Sequence, residues 1–261
     1  MPKQTIHPPY FLLFLIILLV PSSLLYASDR DKEKRWASQI EDALLDGEAV
    51  YLNDGEAKFL AIDTRADEPK NTAVIILHGI GIHPDWETVI HPLRVGLAEK
   101  GWNTLSLQMP VLANDATGED YQPLMKEVPA RIDAGIRYLF NNGAKKVVIV
   151  AHSLGSHMAS YYLAHKKAYK EAQTETPIIG FIGIGMGPGT IPYLQKIKLP
   201  VVDIYGSNDL PGVVVSAEKR RQAASLSKHY TQIKVPEANH FFEEQDDDLV
   251  TTVASTLETL N

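Results

Sequence analysis

The sequence predicts a single-domain α/β protein: a mostly parallel central sheet with helices on both faces and an antiparallel hairpin at its N-terminal edge. Three observations carry that expectation. Ala73–Leu77 is continuously apolar and β-branched, as in strands buried on both faces, and Trp102–Leu107, Lys146–Ala151, Ile178–Ile184 and Pro200–Tyr205 repeat this character. Helical stretches separate these runs, and parallel strands need such crossovers. Finally, 261 residues with 45% hydrophobic content suffice for one good-sized core without a second domain.

Taken in order, the first element lies outside the domain. Lys3 precedes an unbroken apolar run, Tyr10–Val20, then Pro21-Ser22-Ser23, and Ala27 supplies a small residue for cleavage. A basic start, an apolar middle and a small-residue exit describe a secretory signal over residues 1–27. The run is too short for a span of about 20 residues, although its extension through Leu24 and Leu25 to Tyr26 leaves an uncleaved anchor open. The expected domain is 28–261, located in the periplasm or secreted, with membrane contact only if the leader stays attached.

From Ser28 to Leu45, Trp36, Ile40, Ala43 and Leu44 recur at helical steps, and Gly47 follows as a stop. Ala49–Leu52 and Ala57–Ile62 flank Asn53-Asp54-Gly55, a hairpin turn signal. Helices are expected over Glu87–Lys100, Pro123–Asn142, Leu154–Lys170 and Ser216–Ser227, a strand over Tyr230–Val235, and a last amphipathic helix over Leu249–Leu260. The acidic run from Glu243 to Asp248 reads as a solvated loop or a helix start. Gly185–Leu199 is too short for a large helical lid, which leaves access to Pro110–Gln122 and Thr190–Lys198.

Composition excludes several function classes. A net charge of −7 without basic clusters speaks against nucleic-acid binding. The absence of cysteine removes disulfides, a thiol nucleophile and a lipid-modified cysteine. No His/Glu signature of a metal site is present, and neither a metal nor an organic cofactor is expected.

Chemistry in open parallel sheets gathers at the carboxyl ends of the strands. After the strand ending at Ala151 comes Ala151-His152-Ser153-Leu154-Gly155, which then opens a helix. A serine on such a sharp turn presents its hydroxyl above the sheet, and tight packing demands small residues two before and two after it. Ala151 stands where the G-x-S-x-G pattern has glycine, and an N-cap serine is the structural alternative. A serine nucleophile needs a base and an orienting acid. Asp209 follows the strand ending at Tyr205, and His240 follows the strand ending at Val235, in the chain order Ser, Asp, His. Asp203, inside a strand, is the rival acid. The oxyanion would be held by the Leu154 N–H and by an amide of His78-Gly79-Ile80-Gly81, with Ile80 the expected donor. Gly79 and Gly155 are the supporting glycines. His78 is expected to stabilise its own loop, His152 and His157 to point away from the chemistry, and Trp86, Trp102, Phe241 and Phe242 to pack.

From about Glu48 to Leu260 the chain resembles the α/β-hydrolases, on the stretches around His78-Gly79, Ser153, Asp209 and His240. The strings Leu77–Trp86 and Leu107–Leu112 resemble more narrowly an uncharacterised bacterial family of exported hydrolase-like proteins. The resemblance implies the fold and a triad, and little about substrate. Two functions follow as expectations: a serine hydrolase acting on a small-molecule ester, thioester or amide, or a non-catalytic scaffold of the cell envelope that retains the fold.

Overall fold

A computed structural model describes residues 27–165, 178–225 and 229–260. The leader proposed for residues 1–27 therefore lies outside the described residues, except for Ala27. So do the end of the helix expected to reach Lys170 and that of the helix expected to reach Ser227.

The elements in chain order are α1 (Arg30–Ala43), β1 (Glu48–Asn53), β2 (Lys58–Thr64), β3 (Thr72–Leu77), α2 (Ile90–Glu99), β4 (Thr104–Leu107), α3 (Val128–Asn141), β5 (Lys146–His152), α4 (Leu154–His165), β6 (Ile178–Ile184), α5 (Ile191–Leu194), β7 (Val201–Gly206), α6 (Pro211–Ala223), β8 (Tyr230–Val235) and α7 (Asp246–Leu260). The strands form one eight-stranded sheet in the order β1-β2-β4-β3-β5-β6-β7-β8. β1 pairs antiparallel with β2, and β2 antiparallel with β4. Every other pairing is parallel.

Side chains of a strand alternate between faces, and β3 shows how two cores result. Ile75 and Leu77 join a cluster with Val128, Ile132 and Leu139 of α3 and Met158 and Tyr162 of α4. Val74 and Ile76 point the other way, into a cluster with Leu93 and Leu97 of α2 and Leu249, Val253 and Leu257 of α7. A third cluster seats Ala37 and Ile40 of α1 on Leu60 and Ile62 of β2.

Several boundaries differ from the expected ones, and proline explains most of them. Its ring fixes φ and it lacks an N–H, so it suits a helix's first turn. The helix expected from Pro123 is a 3-10 turn, Gln122–Lys126, followed by α3, in which Pro129 occupies the first turn. Pro211 starts α6 five residues before the expected Ser216. α2 starts at Ile90 because Val89 has φ 61°, outside helical space. Asp246, Asp247 and Asp248 form the first turn of α7, where carboxylates meet the positive end of the helix dipole. Among the described residues no helix is long and apolar enough to cross a membrane, and no group of three His, Asp or Glu could hold a metal ion.

The N-terminal helix is tied down by charge. Arg131 of α3, fully buried, donates to Glu33 at 3.0 Å and lies 3.4 Å from Asp54. Arg30 reaches Asp54 at 2.8 Å, Lys32 Nζ donates to the Leu112 carbonyl at 2.7 Å, and the Asp29 N–H donates to the Val111 carbonyl at 2.7 Å. α1 is thereby pinned both to α3 and to the loop that leaves β4.

Candidate active site

β5 ends at His152, and α4 begins at Leu154. Ser153 alone makes the corner, with φ 53°, a left-handed conformation that a residue bearing a Cβ adopts only under constraint. Two contacts impose it. The Ser153 N–H donates to the Ile184 carbonyl of β6 at 2.8 Å, and Gly155 lies against the end of β3. A Cβ on Gly155 would come within 2.5 Å of the Leu77 and His78 carbonyl oxygens, so glycine is obligatory there. Ala151 is fully buried, and its carbonyl accepts from Ser156 Oγ at 2.6 Å.

Two loops bring side chains to this corner. His240, after β8, is buried; its Nε2 accepts from Ser153 Oγ at 2.9 Å, and its Nδ1–H donates to Asp209 Oδ1 at 2.6 Å. Asp209 sits after β7, also buried, and the Leu210 N–H donates to the same oxygen at 2.7 Å. The imidazole is thus held in the tautomer whose Nε2 lone pair faces the serine hydroxyl. The structure brings Ser153, His240 and Asp209 into one chain of hydrogen bonds.

Asp203 is elsewhere. Inside β7 and fully buried, it accepts from Arg220 Nε at 2.8 Å, Tyr230 Oη at 2.6 Å and Gln232 Nε2 at 2.9 Å. Its partners are all structural, and the Tyr230 phenol's own burial, followed by the Asp203 charge beside it, pushes that phenol well above its ordinary pKa.

The loop after β3 faces the serine. A Cβ on Gly79 would stand 3.1 Å from Ser153 Cβ and 3.2 Å from His152 Nδ1, so this backbone passes directly over the Ser153 corner. Ile80 follows in a turn with its side chain partly exposed. Leu154 opens α4, where a first-turn N–H has no intrahelical partner. His78 holds the loop: its Nδ1–H donates to the Gly79 carbonyl at 2.9 Å, and its Nε2 accepts from the Met109 N–H at 2.9 Å. Complete burial lowers its pKa to about 3, and the neutral ring links the ends of β3 and β4.

Two residues of the site escaped the sequence analysis. His152 does not point away from the chemistry: its Nε2–H donates to the His240 carbonyl at 2.9 Å, and its ring lies 4.8 Å from the His240 ring. Burial lowers its pKa too, to about 3. Gly185, after β6, has φ 60°, and a Cβ there would press to 2.9 Å on His240 Cε1. The pattern Gly185-Met186-Gly187 signals a tight turn, but nothing local reveals what packs on it. His157, one turn into α4, packs 5.5 Å from Tyr193, and Gly189 lies against its ring. His91 pairs with Asp85 at 2.9 Å in a cluster with Arg94. Trp102 and Phe242 are fully buried in the core, as packing residues.

Residues 21–122 and 116–255 match the model of a family described as Protein of unknown function (DUF3530). No curated protein matches the sequence. Solved structures share the fold at low identity. The esterase Pf2001 of Pyrococcus furiosus superposes with a TM-score of 0.65 at 16% identity, over 85% of this chain and 95% of that one. Est1E of Butyrivibrio proteoclasticus gives 0.62 at 14%, over 82% and 98%. Dienelactone hydrolase of Anabaena variabilis gives 0.61 at 20%, over 82% and 95%. The fold is that of the α/β-hydrolases.

Proposed function

The chain belongs to the family described as Protein of unknown function (DUF3530), and from that premise and the arrangement at Ser153 we propose that it is an exported serine hydrolase that cleaves a small carboxylic ester. The observation that carries this reading is the position of His240, 2.9 Å from Ser153 Oγ and 2.6 Å from Asp209 Oδ1, above a serine at φ 53°. A merely capping serine needs neither a buried imidazole on its hydroxyl nor a carboxylate behind that ring. Similar structures bear the names esterase and dienelactone hydrolase, which agrees with the reaction class and leaves the substrate open.

The chemistry follows from the contacts. Ser153 Oγ attacks the acyl carbon while its proton passes to His240 Nε2. Asp209 balances the imidazolium and holds the ring in place. The carbonyl oxygen, now an anion, lies between the Ile80 and Leu154 amides; one such donor contributes about 10²–10³ in rate. His240 returns the proton to the leaving oxygen, the alcohol departs, and an acyl group remains on Ser153. Water, deprotonated by His240, then releases the acid and restores the serine. Thioesters and amides would use the same groups. A basic start, an apolar run and the small Ala27 support a reaction in the periplasm or outside the cell.

A fluorophosphonate probe tests the proposal. One-to-one labelling of the folded protein that disappears in Ser153→Ala is the expected result, and p-nitrophenyl esters of graded chain length then define the acyl group. Folded protein that takes up no probe would reduce the chain to a scaffold.

A further inference from the structure

The surface where the described chain begins carries chemistry of its own. Ala27 is exposed, whereas Ser28 is only 6% exposed, so the boundary between the two coincides with the bond that a signal peptidase would cut. The Ser28 backbone nitrogen points at Glu127 Oε1, 3.2 Å away, and Ser28 Oγ donates to Glu127 Oε2 at 2.8 Å. Arg131 Nη2 lies 3.4 Å from the same hydroxyl.

The charges around this nitrogen do not balance. Two guanidiniums, Arg30 and Arg131, interlock with three well-buried carboxylates, Glu33, Asp54 and Glu127. Glu56, on the hairpin turn, is 84% exposed and lies mostly in water. Lys32 turns away to Leu112 and Asn114, and the Tyr121 hydroxyl accepts from the Leu112 N–H at 2.9 Å. The cluster is one positive charge short, and a buried carboxylate without a full counter-charge is costly.

We propose that cleavage of the Ala27–Ser28 bond supplies that charge: the new α-ammonium of Ser28 is captured by Glu127, and the ion pair locks α1 onto α3 in the mature protein. This rests on the export reading above. In the cut, an endopeptidase adds water across the peptide bond; the carboxylate leaves with the leader on Ala27, and the amine on Ser28 takes up a proton. The nitrogen needs no movement, since it already lies within hydrogen-bond distance of Glu127. Capture of a terminal amine by a prepared acceptor is a recurrent recognition mode. In the precursor the same nitrogen is a neutral amide donor, so the leader-bearing chain has a weaker hold on α1.

The pH dependence has a definite sign. A free α-amine titrates at about 7.7–8.0, and Glu127 raises that value in the folded chain. The added stability is therefore complete below about pH 7 and fades as pH rises through the folded value.

The test compares purified chains beginning at Ser28 and at Pro21, each with and without Glu127→Gln, by melting temperature at about pH 7 and about pH 10. The Ser28 chain is expected to melt higher near neutrality by about 3 °C, the shift that roughly 1 kcal/mol produces in a domain of this size. That gap should close at high pH and in the Glu127→Gln pair, whose amide still accepts a hydrogen bond but carries no charge. Equal melting of the two parent chains, or a gap that persists at high pH or in Glu127→Gln, overturns the capture. The mass of the protein isolated from its native cell tests the cut separately: any N-terminus other than Ser28 overturns the processing step, whatever the melting curves show.

Discussion

Replacing Asp209 by Asn removes one charge and leaves the shape intact, so it isolates the carboxylate's role. The Asp209–His240 contact of 2.6 Å, at an effective dielectric of about 20, corresponds to about 6 kcal/mol between unit charges. That attraction exists only once His240 has taken the serine proton, so its loss falls on the transition state. Each 1.36 kcal/mol is tenfold in rate, which predicts a fall in kcat of about 10⁴, with KM nearly unchanged. The same substitution at Asp203 has the opposite signature. It leaves the buried Arg220 guanidinium, now 2.8 Å from Asp203 Oδ2, without its counter-charge, at a cost of about 3–5 kcal/mol. The melting temperature should then fall by roughly 10 °C while turnover on the remaining folded protein persists. The assay is kcat on any active p-nitrophenyl ester, with a thermal melt of each variant. Turnover abolished by Asp203→Asn and retained by Asp209→Asn would refute the assignment of the acid.

Gly155→Ala forces a Cβ to 2.5 Å from two carbonyl oxygens; overpacking of this kind costs about 1–3 kcal/mol, and both melting temperature and activity should drop. Gly185→Ala combines a left-handed φ of 60° with a push on His240, so kcat should fall more than the roughly 1–2 kcal/mol of backbone strain would suggest; an unchanged kcat would dissociate this turn from the base. His78 and His152 are held neutral, each with a pKa of about 3. The unfolded chain protonates them near pH 6.5, so their contribution to stability is flat above that value and falls below it, by up to about 2.7 kcal/mol per pH unit for the pair. Melting curves from pH 7 to 4 measure that slope, and His78→Gln should shallow it.

The framework of this fold is visible in local patterns. β3 and β5 are uninterrupted apolar runs ending at polar residues, and every loop of the site follows a strand end, Ile80 after β3, Ser153 after β5, Asp209 after β7 and His240 after β8, which is why Ser153, Asp209 and His240 could be named together. Helix starts were less legible, because Pro129 and Pro211 set them where the hydrophobic period does not change. What remained hidden is pairwise and distant. His152 meets the backbone of a residue 88 positions away, and Arg131 finds Glu33 across 98. Such partners leave no periodic trace in a single sequence. Gly185 could be read as a turn but not as a seat for His240, since the contact belongs to a different loop.

The ties of α1 also order events in time. Its partners on the far side, the acceptor Glu127 and the donor Arg131, lie about a hundred residues downstream, and closing a loop of that length must precede any contact across it. A chain emerging N-terminus first therefore presents α1 without its partners until α3 has followed. Over that interval nothing downstream holds α1 in place; with the proposed leader at residues 1–27, that is the condition a polypeptide needs to be threaded through a membrane before it folds.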